Sequence, residues 1–232
     1  MAALRILSAG AAQSVVEHIA REFERDTGHG IEARFGAVGA MAQKVIAGES
    51  ADVVILTDKL IDELTASGMV APGSRADLGY VGTGVAVRAG TPLPDVSSAR
   101  VLRGNMLAAA KIVCPDPAIA TAGKVVMALL ERLGIADEVR PRMQFFPNGY
   151  AAMAWLAASM GTLEMGITQI TEIRANKGVK LAGPLPGALQ ARTLYSAGLA
   201  ARAPRFDIAQ SFVARLTALS SRKILTAAGF EE

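Results

Sequence analysis

The chain has 232 residues, of which 51% are hydrophobic and 19% are charged, with a net charge of +3 and a pI near 9.2. This composition predicts an ordered globular protein and excludes a disordered one. Nucleic-acid binding is not expected, because the bases are scattered and only 5% of the residues are aromatic, whereas such surfaces need a basic stripe with stacking aromatics. Membrane insertion is not expected either, since no run approaches the roughly 20 apolar residues that span a bilayer.

Strands and helices alternate through the first 66 residues. In chain order we predict strands at 4–7, 31–35 and 53–56, followed by helices at 13–25, 39–47 and 58–66 respectively. This alternation indicates βαβ units, which build a parallel sheet.

The second half repeats the alternation after a loop rich in Gly and Pro. An extended segment at 82–87 comes first, without a helix directly before it. We then predict helices at 97–109, 122–133, 149–159 and from about 170, strands at 111–114, 143–146, 164–168 and 180–182, a β segment at 193–201, and final helices around 208–216 and 224–225. Two α/β units joined by two extended segments predict a two-lobed protein with its cleft at the carboxyl ends of the strands.

Small residues fill four of the predicted turns between a strand and a helix. These turns lie at 8–12, 36–40, 116–123 and 147–150. Backbone N–H groups at a helix N-terminus are free to bind an anion when no bulky side chain covers them, and the helix dipole favours the negative charge. Any one of these turns alone is better interpreted as a tight turn, but the four together predict a site for a small anionic ligand.

Reactive side chains form no recognisable catalytic or metal-binding set. Cys114 is the one cysteine and follows an apolar run, so we interpret it as a buried small hydrophobe. His18 and His29 lack the spacing of metal ligands. Asp58 and Asp116 each follow a strand, where an aspartate is either a helix cap or turn former, or an acid–base group. We therefore predict no catalytic residue, no metal and no cofactor.

Three motifs give the chain a resemblance to a known family. The segments 6–11 (ILSAGA), 48–55 (GESADVVI) and 163–169 (LEMGITQ) resemble type II periplasmic solute-binding proteins, in the molybdate-binding branch of the ABC-transporter receptors. The resemblance spans nearly the whole chain. It implies an α/β fold of two lobes, each a mainly parallel sheet flanked by helices, which close by hinge motion on a ligand in the inter-lobe cleft. It also implies an ABC permease as a possible partner.

The two extended segments between the α/β units predict the domain boundaries. Lobe I is expected to comprise 1–81 and 195–232, and lobe II to be the inserted segment 82–194. The hinge crossovers are expected near 82–86 and 194–200, where glycines can absorb changes in φ and ψ.

Departures from the molybdate receptors change the expected ligand. The resemblance places Ala11 and Gly39 where those receptors have two serines, and Gln169 where they have a tyrosine, while Ala122 and Gly149 match positions that donate through the backbone. Each lost hydroxyl donor would weaken oxyanion binding by about 1–3 kcal/mol. We therefore expect an organic carboxylate rather than molybdate.

The predicted ligand-binding residues come from both halves of the chain. They are Ala9, Gly10, Ala11, Val38, Gly39, Thr121, Ala122, Asn148, Gly149, Tyr150, Thr168 and Gln169. An alternative alignment, displaced by one residue, would give the serine role to Ser8 or Ser14.

Two other functional classes stay open on the sequence. One is a cytoplasmic enzyme on the same scaffold, an isomerase, tautomerase or lyase of a small organic acid. The other is a cytoplasmic ligand sensor. The apolar stretch after Arg5 is interrupted by Ser8 and Gln13 and does not form a signal peptide, so the sequence as it stands predicts a cytoplasmic protein, or a periplasmic one whose export signal has been removed.

Overall fold

The computed structural model describes residues 3–232. The strands are β1 (Leu4–Ala9), β2 (Ile31–Gly36), β3 (Val53–Thr57), β4 (Ala76–Arg88), β5 (Lys111–Pro115), β6 (Met143–Phe146), β7 (Glu164–Gln169), β8 (Val179–Pro184), β9 (Arg192–Leu199) and β10 (Phe230–Glu231). The α-helices are α1 (Gln13–Thr27), α2 (Val38–Ile46), α3 (Asp58–Ala66), α4 (Ala99–Ala108), α5 (Thr121–Leu133), α6 (Ala136–Val139), α7 (Gly149–Ala158), α8 (Ile170–Ala175), α9 (Phe206–Thr217) and α10 (Arg222–Ala228).

The predicted α/β alternation is confirmed, with differences at β4, at α6 and at β10, a two-residue strand that is not predicted from the sequence. Strand β4 begins at Ala76, six residues before the predicted segment, because its first part pairs with β10 at the far end of the chain. Helix α6 has only four residues, which is too short to show an apolar periodicity in the sequence.

The chain divides into two compact units. The first contains the described residues up to Tyr80 together with Thr193–Glu232, and the second is Val81–Arg192. The chain passes from one unit to the other within β4 and again within β9.

The first unit is built on the parallel strands β2, β1 and β3, in that order, with β9 antiparallel beside β3. Helix α1 buries an apolar stripe that includes Val15, Ile19 and Phe23, spaced four residues apart. Phe23 meets Phe212 of α9 edge to face, with ring centroids 5.5 Å apart. Burying each such side chain stabilises the fold by about 1.5–3 kcal/mol.

The second unit has the strand order β6, β5, β7, β4, and β8 pairs with the opposite edge of β4. Strands β6, β5 and β7 are parallel. Its core includes Leu102 of α4, Ile112 of β5, and Val126 and Leu130 of α5, all inaccessible to solvent. Within 3–232, no helix has both the length and the apolar character that crossing a membrane requires.

Candidate functional site

Two of the small-residue turns lie side by side in the first unit. Strands β1 and β2 are parallel and in register, with Ala9 opposite Gly36 at their carboxyl ends. A turn of 3-10 helix, Gly10–Ala12, leads from β1 into α1, and α2 starts two residues after Gly36. The predicted ligand residues of this unit therefore share one edge of the sheet, at the N-termini of two helices.

Alanine occupies the N-cap position of three helices at these turns. The N-cap residues are Ala12 for α1, Ala37 for α2 and Ala120 for α5. Ser, Thr, Asp or Asn usually stands at the N-cap and accepts a hydrogen bond from the first turn, but an alanine side chain has no acceptor. The first N–H groups of α2 and α5 therefore receive no hydrogen bond from an N-cap side chain, and they are suited to an external anion. At α1, by contrast, the Gln13 N–H already donates to the Gly10 carbonyl oxygen of the preceding 3-10 turn.

The polar side chains beside the first turn are bonded within the protein. The Ser8 side chain is inaccessible to solvent, and its hydroxyl donates to the Ala9 carbonyl oxygen over 3.0 Å. The Gln13 amide donates to the Glu17 carboxylate over 2.8 Å on the exposed side of α1. The Ser8 hydroxyl hydrogen is therefore used within its own turn.

Three turns of the second unit also share one edge of a sheet. Pro115 at the end of β5 is opposite Phe146 at the end of β6, and Val113 is opposite Gly166 of β7. The turns that follow these strands carry the predicted residues Thr121 and Ala122, Asn148 to Tyr150, and Thr168 with Gln169. The carboxyl edge of a parallel sheet is the usual place for a ligand in α/β proteins.

A glycine brings the start of α5 against the end of β5. A Cβ atom on Gly123 would overlap the Pro115 carbonyl oxygen. Only glycine therefore allows the first turn of α5, with Ala122, to lie directly on the strand end.

Two predicted ligand side chains of this unit are engaged in internal hydrogen bonds. Asn148 is the N-cap of α7, and its Oδ1 accepts a hydrogen bond from the Ala151 N–H over 2.9 Å. The Gln169 side chain is buried, and with its amide nitrogen turned to donate it reaches the carbonyl oxygens of Gly82 (3.2 Å) and Val81 (3.3 Å). Both side chains stabilise the turns on which they lie.

Glu172 of α8 is a buried carboxylate that joins two of these turns. Its Oε2 accepts the Thr168 hydroxyl hydrogen over 2.5 Å, and its carboxylate also accepts the backbone N–H groups of Gly149 and Gln169. A Cβ atom on Gly149 would overlap the Glu172 carboxylate. Glycine at the first position of α7 therefore gives the carboxylate its place at the start of that helix.

Burial controls the protonation of this carboxylate. It raises the pKa of Glu172 to about 7, against the lowering effect of the hydrogen bonds from Thr168, Gly149 and Gln169. The free-energy cost of removing the charged carboxylate from water exceeds the stabilisation that the three hydrogen-bond donors provide, as expected for a fully enclosed carboxylate. Near neutral pH both protonation states of Glu172 are therefore populated.

Glu172 is not among the site residues predicted from the sequence. The available signal was an acidic residue between Ile170 and Ile173 in a segment predicted to be helical, four residues after Thr168. Such a pattern predicts that the glutamate lies on the exposed face of an amphipathic helix. Only the packing of α7 against α8 shows that it is buried.

The other predicted site residues differ in exposure. Gly39, Thr121, Asn148 and Tyr150 are half-buried, whereas Ala9, Gly10, Ala11, Val38, Ala122, Gly149, Thr168 and Gln169 are buried. Cys114 is buried next to this edge, and burial raises the pKa of its thiol to about 12, so it stays an uncharged thiol.

Comparison with known proteins identifies the family to which this architecture belongs. Residues 4–231 match the model of the bacterial extracellular solute-binding proteins. The chain belongs to this family. Among curated proteins, this solute-binding protein is similar to an aconitate isomerase of Pseudomonas sp., with 26% identity over 98% of this chain and 87% of the relative.

Solved structures show the same fold. The periplasmic molybdate-binding protein of Azotobacter vinelandii is 22% identical, covers 99% of each chain and has a TM-score of 0.84. PEB3 of Campylobacter jejuni in complex with L-phospholactate is 17% identical, covers 99% of each chain and has a TM-score of 0.73. The resemblance inferred from the sequence motifs is therefore confirmed: the protein has the type II periplasmic-binding-protein-like fold.

Proposed function

We propose that this solute-binding protein binds a small organic carboxylate at the small-residue turns. One observation carries the proposal: alanine N-caps leave backbone N–H groups at the starts of α2, α5 and the 3-10 turn before α1 without a capping side chain. Backbone N–H groups at a helix N-terminus favour an anion, and belonging to a solute-binding family supports a small soluble ligand.

The side chains at these turns favour a carboxylate over a tetrahedral oxyanion. Ala11 and Gly39 supply no hydroxyl, and Ser8 donates to its own turn. A tetrahedral oxyanion needs several donors that converge on a compact space, whereas a carboxylate needs fewer and brings a carbon skeleton that can fill the space left by small side chains. The relative named for aconitate supports an organic acid as the ligand class. L-phospholactate, bound by one neighbour, is an organic acid that also carries a tetrahedral phosphate group, so that neighbour does not separate the two ligand classes.

A second candidate function is isomerisation of a small unsaturated organic acid. The relative that is an aconitate isomerase favours it. The buried Glu172 accepts hydrogen bonds from Thr168 and from the Gly149 and Gln169 N–H groups. Glu172 would act through Thr168 and the Gly149 N–H, as a positioning residue. In the receptor role, an ABC permease would be the partner and the protein would work outside the cytoplasm. In the enzyme role neither is needed.

Calorimetric titration tests the proposed ligand class. The purified protein is titrated with cis- and trans-aconitate, citrate and tricarballylate, and separately with molybdate and sulfate. We expect at least one organic acid to bind and both oxyanions to bind poorly. A ligand at about 100 times its Kd would add about 2.7 kcal/mol of stability, which a thermal-shift assay also detects. Tight binding of molybdate by the unaltered protein would contradict the proposal.

The enzyme role has a separate readout in the same samples. The proton NMR spectrum of trans-aconitate is followed over time with the protein present. Appearance of the cis isomer at a rate proportional to protein concentration establishes isomerisation, and binding without conversion assigns the protein to the receptor role.

A further inference from the structure

Strand β2 is the last strand at one end of the sheet, and one of its two edges is open. Among the described strands it pairs only with β1. An open edge presents a row of backbone N–H and C=O groups, which is a template for pairing with another chain. The strand contains no proline, and its register with β1 is continuous from Ile31 to Gly36, so this row is uninterrupted.

The hydrogen bonds to β1 show which residues of β2 face the open edge. The Leu4 N–H donates to the Gly30 carbonyl oxygen over 2.8 Å. Successive residues of a strand turn their backbone groups to opposite sides, so the even-numbered residues of β2 point to β1 and the odd-numbered ones point away. The Ile31 N–H is taken by the Glu24 carboxylate over 2.7 Å. Ala33, in the middle of the strand, presents both its N–H and its C=O at the open edge.

The sequence of this strand is complementary to itself. Residues 31–35 read Ile-Glu-Ala-Arg-Phe. A second copy related by a twofold axis at Ala33 would pair antiparallel, with Ala33 opposite Ala33. Glu32 of each copy would then lie opposite Arg34 of the other, and Ile31 opposite Phe35. A twofold interface uses the same patch of both copies, so it requires this kind of self-complementarity.

The backbone and the charges select the same register. Residues that face the open edge form the hydrogen-bonded pairs, and Glu32 with Arg34 then form a non-hydrogen-bonded pair, in which side chains lie closer together. Sliding one strand by two residues would place Glu32 opposite Glu32, or Arg34 opposite Arg34. Opposite charges directly across an antiparallel pair stabilise it and like charges destabilise it. The charges therefore disfavour the neighbouring registers and favour the one centred on Ala33.

Both charged side chains are available to a second copy. Glu32 is exposed and forms no ion pair within residues 3–232, although Arg5 of β1 lies opposite it. The Arg34 side chain is 70% exposed and pairs with Glu49 over 2.8 Å. Glu49 also pairs with Lys44 over 2.9 Å, so it keeps a cation if Arg34 turns to the second copy. An exposed ion pair contributes little to stability, and the exchange therefore costs little.

The apolar residues of β2 would gain cover from the same pairing. Ile31, Ala33 and Phe35 are only half-buried, whereas the residues opposite them on β1 are buried. Opposite residues of two paired strands lie on the same face of the sheet. A second β2 strand would therefore extend this apolar face beyond its present end.

We infer that the open edge of β2 is an interface between two copies of this chain, formed by antiparallel pairing of their β2 strands about Ala33. The sheet of one copy would continue into the sheet of the other. The contact involves few residues of each copy and is smaller than a standard stable interface, so we expect a weak dimer that dissociates on dilution. This inference does not depend on the identity of the ligand.

Sedimentation velocity from about 10 μM to about 1 mM protein measures the association. Glu32→Arg and Arg34→Glu each turn two attractive pairs into two like-charge pairs, so each should weaken the dimer by about tenfold or more. The double substitution Glu32→Arg with Arg34→Glu should restore it, and an equimolar mixture of the two single variants should form a mixed dimer. The control is Glu63→Arg, which reverses an exposed charge on α3 of the same unit and should associate as the unaltered protein.

Each outcome decides the inference. An unaltered protein that stays monomeric at the highest concentration overturns it. A dimer that is equally strong in Glu32→Arg places the interface elsewhere and also overturns it. Loss of the dimer in both single variants, with no recovery in the double variant or the mixture, overturns the antiparallel register. Recovery in both confirms that Glu32 and Arg34 pair across the interface.

Cross-linking decides the same question without a change of charge. In the inferred register Ala33 lies opposite itself, and the Cα atoms of such a pair are about 5.5 Å apart, a separation that a disulfide spans. Mild oxidation of Ala33→Cys should therefore give a covalent dimer, since the native Cys114 is buried. Ala66→Cys, at an exposed alanine of α3, should stay monomeric. Equal cross-linking of the two variants, or none in Ala33→Cys, overturns the inference even if the charge variants fail to fold.

Discussion

The buried Glu172 should make the free energy of unfolding fall as the pH rises, and the substitution Glu172→Gln should abolish this dependence. In the folded state burial raises the pKa of Glu172 from its ordinary value of 4.5 to about 7. The unfolded chain therefore binds fewer protons at this residue than the folded protein, and stability falls as the pH rises. The contribution is fully present below pH 4.5 and is lost as the pH passes through about 7.

The magnitude follows from the size of the pKa change. Each pKa unit corresponds to about 1.36 kcal/mol, so ionising Glu172 costs the folded state about 3 kcal/mol in total. Between about pH 5 and about pH 8, we expect the free energy of unfolding to fall by about 2–3 kcal/mol more in the unaltered protein than in Glu172→Gln. The glutamine is similar in shape and does not titrate, so its own effect on stability enters as a constant offset.

Urea denaturation at several pH values measures this difference, with the transition midpoint and slope fitted at each pH. Glu138→Gln provides the matched control, because Glu138 is exposed on α6 of the same unit, and its curve should run parallel to that of the unaltered protein. Parallel curves for the unaltered protein and Glu172→Gln would refute the reasoning, since they would show that Glu172 titrates alike in the folded and unfolded states.

Two further predictions concern the turns themselves. Gly149→Ala should destabilise the protein by about 1–3 kcal/mol, because its Cβ would overlap the Glu172 carboxylate. The control, Gly104→Ala in the open middle of α4, should be neutral or stabilising by up to about 1 kcal/mol. Thermal denaturation compares the two variants, and equal changes in stability would argue against the close contact at Gly149. The double substitution Ala11→Ser with Gly39→Ser should strengthen molybdate binding in calorimetry, because it restores hydroxyl donors at the positions inferred from the family resemblance, and an unchanged or weaker affinity would contradict that alignment.

The alternation of strands and helices could be predicted because it depends on local patterns. The apolar stripe of α1 determines which face of that helix is buried, and the continuous apolar run of β3 determines that the whole strand is buried. The small residues after β1 and β2 mark where the turns lie. Parallel pairing follows from the helical crossovers. These signals lie within windows of a few residues, and for that reason the sequence alone specifies them.

The partners of individual side chains could not be read in the same way. Ser8 and Gln169 were both weighed as ligand groups, yet one donates to its own turn and the other reaches the carbonyls of β4. Strand β4 also extends further than its local pattern indicates, because its partner β10 lies about 150 residues away in the chain. Each of these outcomes depends on residues that are distant in sequence.

The sequence by itself determined the α/β class, the family motifs and the small residues of the four turns, since these depend on residue identity and local periodicity. Only the tertiary structure decided that Glu172 is buried against the start of α7, with Thr168 and Gly149 as donors. The physical reason is that the pKa of a carboxyl group depends on its exposure to water and on the donors around it. Both are fixed by the packing of α7 on α8, and the identity of a single glutamate in the chain carries no information about either.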